Sequence, residues 1–306
     1  MSDAHHPGIT IPELETEQHN RASAALDTMS ALEIARVINA EDKKVALAVE
    51  PALPQIAQAI DAIAHAIANG GRLIYVGAGT SGRLAALDAS ECPPTFGIDP
   101  RTIQYVIAGG PKALGRAAEY SEDSRATGRR DMASRKPGKK DIVVGLAASG
   151  RTPYTVAALE YARKKGAKTV AVVCNPLSEL GRLADIEIVV EVGSEAVSGS
   201  TRMKAGSAQK MALNMLSTGA MARLGLVYGN LMVNVQILNH KLVERGLAIL
   251  EKAADVDRST AAKTLKAADN QVAVALIMLK TGLDRKQAVI RLKSVKGNVR
   301  RAIALE

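Results

Sequence analysis

Aromatic residues are scarce in this chain of 306 residues: Trp is absent and Phe occurs once. Cysteine occurs twice, as Cys92 and Cys174, too few for a disulfide framework and with no Cys-x-x-Cys pair. The five histidines, His5, His6, His19, His65 and His240, fall at no metal-binding spacing. No apolar run approaches the roughly 20 residues that span a bilayer, so a membrane partner is not expected. The first residues, Met1-Ser-Asp-Ala-His-His-Pro, lack the basic start and apolar core of a secretory signal. A cytoplasmic location is the expectation. Two catalytic signatures are missing as well. No Lys-Ser/Thr pair follows a Gly-x4-Gly spacing at a strand end, and no Gly-x-Ser-x-Gly elbow occurs.

What is present is an ordinary globular composition, 47% apolar and 23% charged. The net charge of +9 is unevenly spread: from Lys241 onward there are 14 Lys/Arg against 7 Asp/Glu, which supplies +7 of it. A basic helical tail with no zinc-finger, RNP-like or glycine-loop motif reads as a solvated face, and no nucleic-acid partner is expected.

The glycine-rich stretches carry the chemistry. Arg72-Leu-Ile-Tyr-Val-Gly-Ala-Gly-Thr-Ser-Gly-Arg83 is a β-branched run that breaks at three glycines, places Thr80 and Ser81 on the bend, and opens into a helical pattern. Asp141-Ile-Val-Val-Gly-Leu-Ala-Ala-Ser-Gly-Arg-Thr152 repeats the idea. A strand end, unpaired amides, hydroxyls and a helix N-terminus converge well on one phosphate. The first loop resembles GxGxxG, but the next strand ends Val106-Ile-Ala-Gly-Gly110, with no acid for a ribose. Paired hydroxyl loops suit a sugar phosphate better than a dinucleotide. Ser81, Ser149 and Thr152 are the expected phosphate ligands, helped by the backbone of Gly79, Thr80, Ala148 and Gly150.

Strands are expected near 72–76, 103–108, 141–146, 169–173 and 186–190, with helical patterns near 82–90, 111–126, 153–165 and 177–183 between them. That alternation is the mark of a three-layer α/β/α sandwich around a parallel five-stranded sheet. Ahead of it, residues 1–13 read as loosely attached. Ser30-Ala-Leu-Glu33 reads as a capping box leading an apolar stripe of Leu32, Ala35, Val37 and Ile38, and a helix is expected over Pro54–Ala68. Beyond the sheet, long helices are expected over about 203–223 and 230–250. The remainder reads as three short helices broken at Asp269-Asn270, Gly282 and Gly297. The chain thus divides into residues 1–252, which hold the sugar-phosphate site, and a small helical unit, 253–306.

Three acidic or basic groups stand out. Glu91, in Asp88-Ala-Ser-Glu-Cys-Pro-Pro-Thr95, ends the helix leaving the first loop, where two prolines stop the helix and fix it. It reads as a general acid or base, or as a solvated helix-end carboxylate. Glu122-Asp123 reads as an ion-pairing surface pair. Glu195 with the run Ser198-Gly-Ser-Thr-Arg-Met-Lys204 reads either as an anion-capping turn with Arg202 and Lys204, or as a capped helix start with surface charges.

The loop Ala147-Ala-Ser-Gly-Arg-Thr152 resembles that of the sugar isomerase (SIS) domain. Four further motifs narrow the resemblance: Gly77-Ala-Gly-Thr-Ser-Gly-Arg83, Asp88-Ala-Ser-Glu-Cys-Pro-Pro-Thr-Phe-Gly97, Glu122-Asp123, and Gly199-Ser-Thr-Arg-Met-Lys-Ala-Gly206. Together they are similar to the N-acetylmuramic acid 6-phosphate etherases, over about Leu14–Arg245, and the C-terminal helices resemble the UBA-like extension of that family. The resemblance implies cleavage, without any cofactor or metal, of the D-lactyl ether at the third carbon of the sugar. N-acetylglucosamine 6-phosphate and D-lactate are the implied products. It assigns proton removal at the second carbon to Glu91 and water activation to Glu122. Ser200, Thr201 and Lys204 are then expected to close over the sugar. Arg83 and Arg151 have several possible partners: the phosphate, the lactyl carboxylate, Glu91 or Glu122.

Two other classes share these features: an aldose–ketose isomerase of sugar phosphates, and a non-catalytic sugar-phosphate sensor. Only the etherase releases lactate. The apolar residues Met211, Leu213, Met215, Leu216, Met221, Leu224, Leu226, Val227, Leu231, Met232, Val233, Val235, Ile237 and Leu238 exceed what one sheet face covers, so a homodimer is expected.

Overall fold

The computed structural model describes residues 14–116, 119–237 and 239–305. The expectations for residues 1–13, including His5 and His6, and for Leu238 lie outside the described residues. The chain divides into two compact units: residues up to Asp88 with Ile103–Leu216, and Ala89–Thr102 with Ser217–Glu306. The boundary expected near 253 falls within the second unit.

The first unit is built on five parallel strands, β1 (Leu73–Gly77), β2 (Ile103–Ile107), β3 (Ile142–Leu146), β4 (Lys168–Val173) and β5 (Ile186–Val189). All five lie within two residues of their expected places. They are arranged β2-β1-β3-β4-β5. Every residue of β1 and β3 is buried, as expected for strands covered on both faces. The order reverses direction between β1 and β3, the topological switch point at which open α/β sheets bind ligands. Gly77 pairs in register with Leu146, so the two glycine-rich loops leave the sheet side by side. The core combines Ile74, Val76 and Val143 of the sheet with Met132, Tyr154, Val156 and Leu159 of the helices.

Helix α1 (Ala31–Val49) starts at the expected capping box of Ser30 and Glu33. Its stripe is different. Leu32 is 59% exposed, and the face turned inward carries Glu41, Val45 and Val49. Helix α2 (Leu53–Ala68) follows as expected. Helix α3 (Gly79–Phe96) runs through Pro93 and Pro94 instead of stopping before them. The prolines sit within its last turn, where Gly97 N–H still reaches Pro93 O at 2.9 Å. The helix expected over 111–126 is replaced by two 3-10 turns, Gly110–Leu114 and Glu119–Ser121. A true helix, α4 (Arg125–Ser134), begins at Ser124, whose hydroxyl accepts from Thr127 N–H. Ser at the N-cap starts the helix despite the polar, basic composition of the segment. Helices α5 (Pro153–Lys164), α6 (Glu179–Leu183) and α7 (Lys204–Arg223) complete the set; α7 continues into the second unit.

In the second unit, α8 (His240–Ala254) packs on α9 (Arg258–Ala267) and α10 (Val272–Thr281), and α10 packs on α11 (Arg285–Ser294) and the six-residue α12 (Val299–Ala304). The three ten-residue helices are those expected, and α12 adds a fourth after Gly297. Their core gathers Leu247, Leu250, Leu265, Leu276 and Val299. The helix expected from 230 starts only at His240. Upstream the chain runs through turns closed by Val233 N–H on Leu231 O and Val235 N–H on Met232 O, and these bury Val233 and Val235 without a helix. Among the described members of the apolar set 211–237, every residue is buried or half-buried within the chain, so that set no longer argues for a dimer.

Candidate active site

At the carboxyl ends of β1 and β3 the loops border a cavity of about 510 Å³. Its walls include Gly79, Thr80, Ser81, Glu122, Ala148, Ser149, Thr152, Ser200 and Thr201 among the expected residues. Gly150, Lys204 and Glu91 are not part of the lining.

The hydroxyls differ in how far they are already engaged. Ser149 Oγ accepts from Arg151 N–H at 3.2 Å, which leaves its own proton to donate. Thr152 stands at the N-cap of α5 yet its side chain makes no capping bond. Both can therefore turn a proton towards an anion at the helix start, where the dipole also favours one. Ser81 is nearly buried and donates to Oε1 of Gln209 at 2.8 Å. Ala148 is held from behind: its carbonyl accepts from Cys174 N–H and from Asn175 Nδ2. Burial and the charge of Glu195 push the Cys174 thiol up to about 12, so it is inert packing.

Glu122 reaches the cavity through a tight local arrangement. Gly79 has φ of +51°, and a Cβ built there would lie 2.8 Å from Glu122 Oε1, so the carboxylate rests against the first loop. The left-handed φ is what calls for glycine at that position. The Glu122 carbonyl accepts from Tyr154 N–H at 3.0 Å. The fully buried Tyr154 in turn donates its hydroxyl to Asp131 Oδ2 on α4 at 2.9 Å. Burial and the Asp131 charge drive that phenol's pKa upward, so it stays protonated. The first turn of α5 and the face of α4 thus hold the segment that carries Glu122.

Lys204 lies elsewhere than expected. It is 3% exposed and its Nζ donates to Glu41 Oε2 on α1 at 2.6 Å. Burial pushes the Glu41 carboxyl up, but hydrogen bonds from Lys204 and Lys44 outweigh it and hold the group at about 2. The fully buried Glu195 accepts from the backbone N–H of Lys204 and of Ala205 and so caps α7. Burial raises its pKa despite those bonds. Lys204 and Glu195 are structural, and the cavity takes only the turn Ser200–Arg202. Glu91 lies in the second unit and is exposed.

Sequence reasoning missed Leu14 and Glu17, which line the cavity from the N-terminal segment. That segment is bound to the Ser200 turn: Gly199 N–H reaches Thr16 O, and Ser198 Oγ donates to Gln18 O. Nothing periodic marks residues 14–20, so no sequence signal pointed to them. Asn175 and Gln209, the supports of the two loops, were missed for the same reason. Among the described residues no group of three His, Cys, Asp or Glu is placed to hold a metal, and no helix is long and apolar enough to cross a membrane.

Comparisons with known proteins bear on the same residues. Residues 55–163 match the glucokinase regulatory protein N-terminal SIS domain, and residues 124–219 match the SIS domain. An N-acetylmuramic acid 6-phosphate etherase of Vibrio vulnificus is 52% identical over 295 residues, 96% of this chain and 98% of its own. Etherases of Klebsiella aerogenes and Aeromonas hydrophila are 49% and 50% identical, over 97% and 94% of this chain and 99% and 97% of theirs.

Proposed function

Because the chain belongs to the N-acetylmuramic acid 6-phosphate etherase family, we infer that its cavity holds an amino-sugar 6-phosphate and that the chain cleaves the sugar's D-lactyl ether. The products are N-acetylglucosamine 6-phosphate and D-lactate, a carbon–oxygen lyase reaction of cell-wall amino-sugar recycling. The observation that carries the site assignment is a carboxylate, Glu122, resting against one of two hydroxyl-bearing loops at the switch point of the sheet.

The chemistry asks little of the protein beyond placed acids and bases. Opening the sugar ring exposes an aldehyde at the first carbon, which acidifies the hydrogen on the second. A carboxylate removes that proton, and the electron pair expels the lactate oxygen from the third carbon. Water adds to the unsaturated aldehyde at the third carbon, the second regains a proton, and the ring closes. Each positioned proton transfer is worth roughly 10²–10⁴ in rate. Hydrogen bonds to the enolate-like oxygen supply the remaining stabilisation, with no metal in the scheme. Glu91 is proposed as the base at the second carbon, on the family resemblance. Glu122 is proposed to activate the water. Ser149 and Thr152 are proposed to hold the phosphate, with Ser81 and the amides of Gly79, Thr80, Ala148 and Gly150. Ser200 and Thr201 cover the sugar, and Lys204 serves by anchoring their turn.

The test is D-lactate release from N-acetylmuramic acid 6-phosphate in the presence of EDTA. Release is expected in the wild type and is expected to fall at least about 100-fold in Glu122→Gln and Glu91→Gln, with sugar-phosphate binding retained. Full turnover in either variant removes that residue from the mechanism. No release at all in the wild type returns the site to an isomerase or a sensor. We also propose a homodimer in the cytoplasm. Its support is the apolar surface at the α1–α2 corner, where Leu47 is 70% and Leu53 43% exposed. Sedimentation is expected to give twice the chain mass, and Leu47→Lys to halve it.

A further inference from the structure

The etherase substrate brings two anions to one cavity, the 6-phosphate and the lactyl carboxylate. The hydroxyl loops account for the first. The second enters a cavity that already presents Glu17, Glu122 and Asp123, so it needs a cation to offset both desolvation and repulsion from like charges. Three arginines line the cavity: Arg83, Arg151 and Arg202.

They are not equivalent. Arg83 is committed to the protein, donating through Nε to Ala113 O and through Nη2 to Arg116 O, both at 3.0 Å. Its fork pins the 3-10 turn that follows β2. Arg202 sits exposed on the Ser200 turn. Arg151 is half-buried, and its Nε is one of few buried side-chain polar atoms among the described residues without a hydrogen-bond partner. A buried guanidinium donor left unpaired is costly in a folded protein and calls for an explanation. Here the explanation is a ligand. Arg151 lines the cavity, and a turn of its side chain brings the covered Nε–Nη edge to the open side, where a carboxylate accepts its two parallel N–H groups.

Resting on the etherase reading for the identity of that carboxylate, we propose that Arg151 is the specificity-determining residue that receives the lactyl carboxylate. The phosphate remains with the hydroxyl loops. The lactyl group is then recognised by a charge on the chain segment that also carries the phosphate ligands Ser149 and Thr152. Sugar phosphates that lack a lactyl group leave the Arg151 donor unpaired and bind more weakly.

Calorimetry tests this on the Glu122→Gln background, with N-acetylmuramic acid 6-phosphate and N-acetylglucosamine 6-phosphate as the two probes. The parent should prefer the lactyl-bearing sugar. Arg151→Met should weaken that sugar by about 10- to 100-fold, the range for a hydrogen bond to a charged group, while N-acetylglucosamine 6-phosphate changes less than about 3-fold. Retained binding of the second sugar also shows that the variant is folded. Arg151→Lys, which keeps the charge without the fork, should recover part of the preference. Three results overturn the proposal: an equal loss for both sugars, which makes Arg151 a phosphate ligand; no loss; or selective loss in Arg202→Met instead. The etherase reading fails separately, by absence of D-lactate release in the wild type. A lactyl preference that depends on Arg151 would survive that failure.

Discussion

A hydroxyl has one proton to give, and in this cavity the question is where each one points. Ser149 and Thr152 have theirs available, whereas Ser81 spends its proton on Gln209 Oε1. The partner atom, Gln209 Nε2, is buried with no acceptor. A half-turn of the amide reverses the bond, places Nε2 on Ser81 Oγ, and frees the Ser81 proton for a phosphate oxygen. Gln209 thereby decides whether Ser81 is a ligand. Ser81→Ala is expected to weaken N-acetylglucosamine 6-phosphate by about 10-fold, the low end for a bond to a charged acceptor. Gln209→Leu is expected to cost that affinity less than about 3-fold, since an apolar neighbour leaves the Ser81 proton unclaimed. Titration calorimetry reads both. A loss in Gln209→Leu as large as in Ser81→Ala would mean that the amide, and not the hydroxyl, matters to the phosphate. The residue types of the two loops were legible in the sequence because Gly, Ser and Thr at a strand end have few other uses. Their supports were not, since a Gln 128 residues from its serine leaves no local trace.

At the scale of elements, the parallel strands announced themselves as short β-branched runs with glycine after them, and all five were found. What failed was the reading of segments decided by turns and caps and not by composition. Residues 230–237 are apolar enough for a helix, but turns closed on the carbonyls of Leu231 and Met232 bury Val233 and Val235 in its place. Residues 125–134 lie mostly past the helix expected over 111–126, and the cap at Ser124 with the buried Gly128 and Met132 places the helix there instead. Gly128 is the reason α4 can lie so close to α5. A Cβ there would fall 2.1 Å from the carbonyl oxygen of Tyr154, whose N–H holds the Glu122 carbonyl. Gly128→Ala must therefore push α4 away from the element that positions Glu122. Overpacking of this kind costs about 1–3 kcal/mol. The expected signature is a lower melting temperature with a fall in kcat and little change in the affinity for N-acetylglucosamine 6-phosphate, because the phosphate loops are untouched. Equal losses in kcat and in that affinity would show that α4 supports the whole cavity and not Glu122 alone.

Over the whole molecule, the long-range tie that no pattern revealed is the ion pair of Glu41 and Lys204, 163 residues apart. Sequence reasoning assigned Lys204 to the ligand because a lysine beside a Ser-Thr turn is the usual dress of an anion site. Its burial against α1 depends on a partner whose only local mark was a carboxylate on the inward face of α1. A buried pair of this kind is costly to break: removing one partner strands the other charge, at about 3–5 kcal/mol, whereas replacing both by apolar residues is often neutral. Glu41→Leu is thus expected to lose stability that Glu41→Leu with Lys204→Met largely recovers, as read by urea unfolding at pH 7. The pH dependence follows from the direction of the shift. The folded Glu41 carboxyl is held at about 2, below its usual 4.5, so its contribution is complete above about 4.5 and is lost as the pH falls towards 2. Glu195 acts with the opposite sign: its folded pKa is raised by burial, so protonation favours the fold, and stability drops as the pH rises past 4.5 through that raised value. The double variant should therefore unfold less steeply between pH 4.5 and 2 than the wild type, and Glu195→Gln should flatten the limb above 4.5. An unchanged acid limb in the double variant would place the acid sensitivity in other carboxylates, and would reduce the Glu41–Lys204 pair to a packing contact.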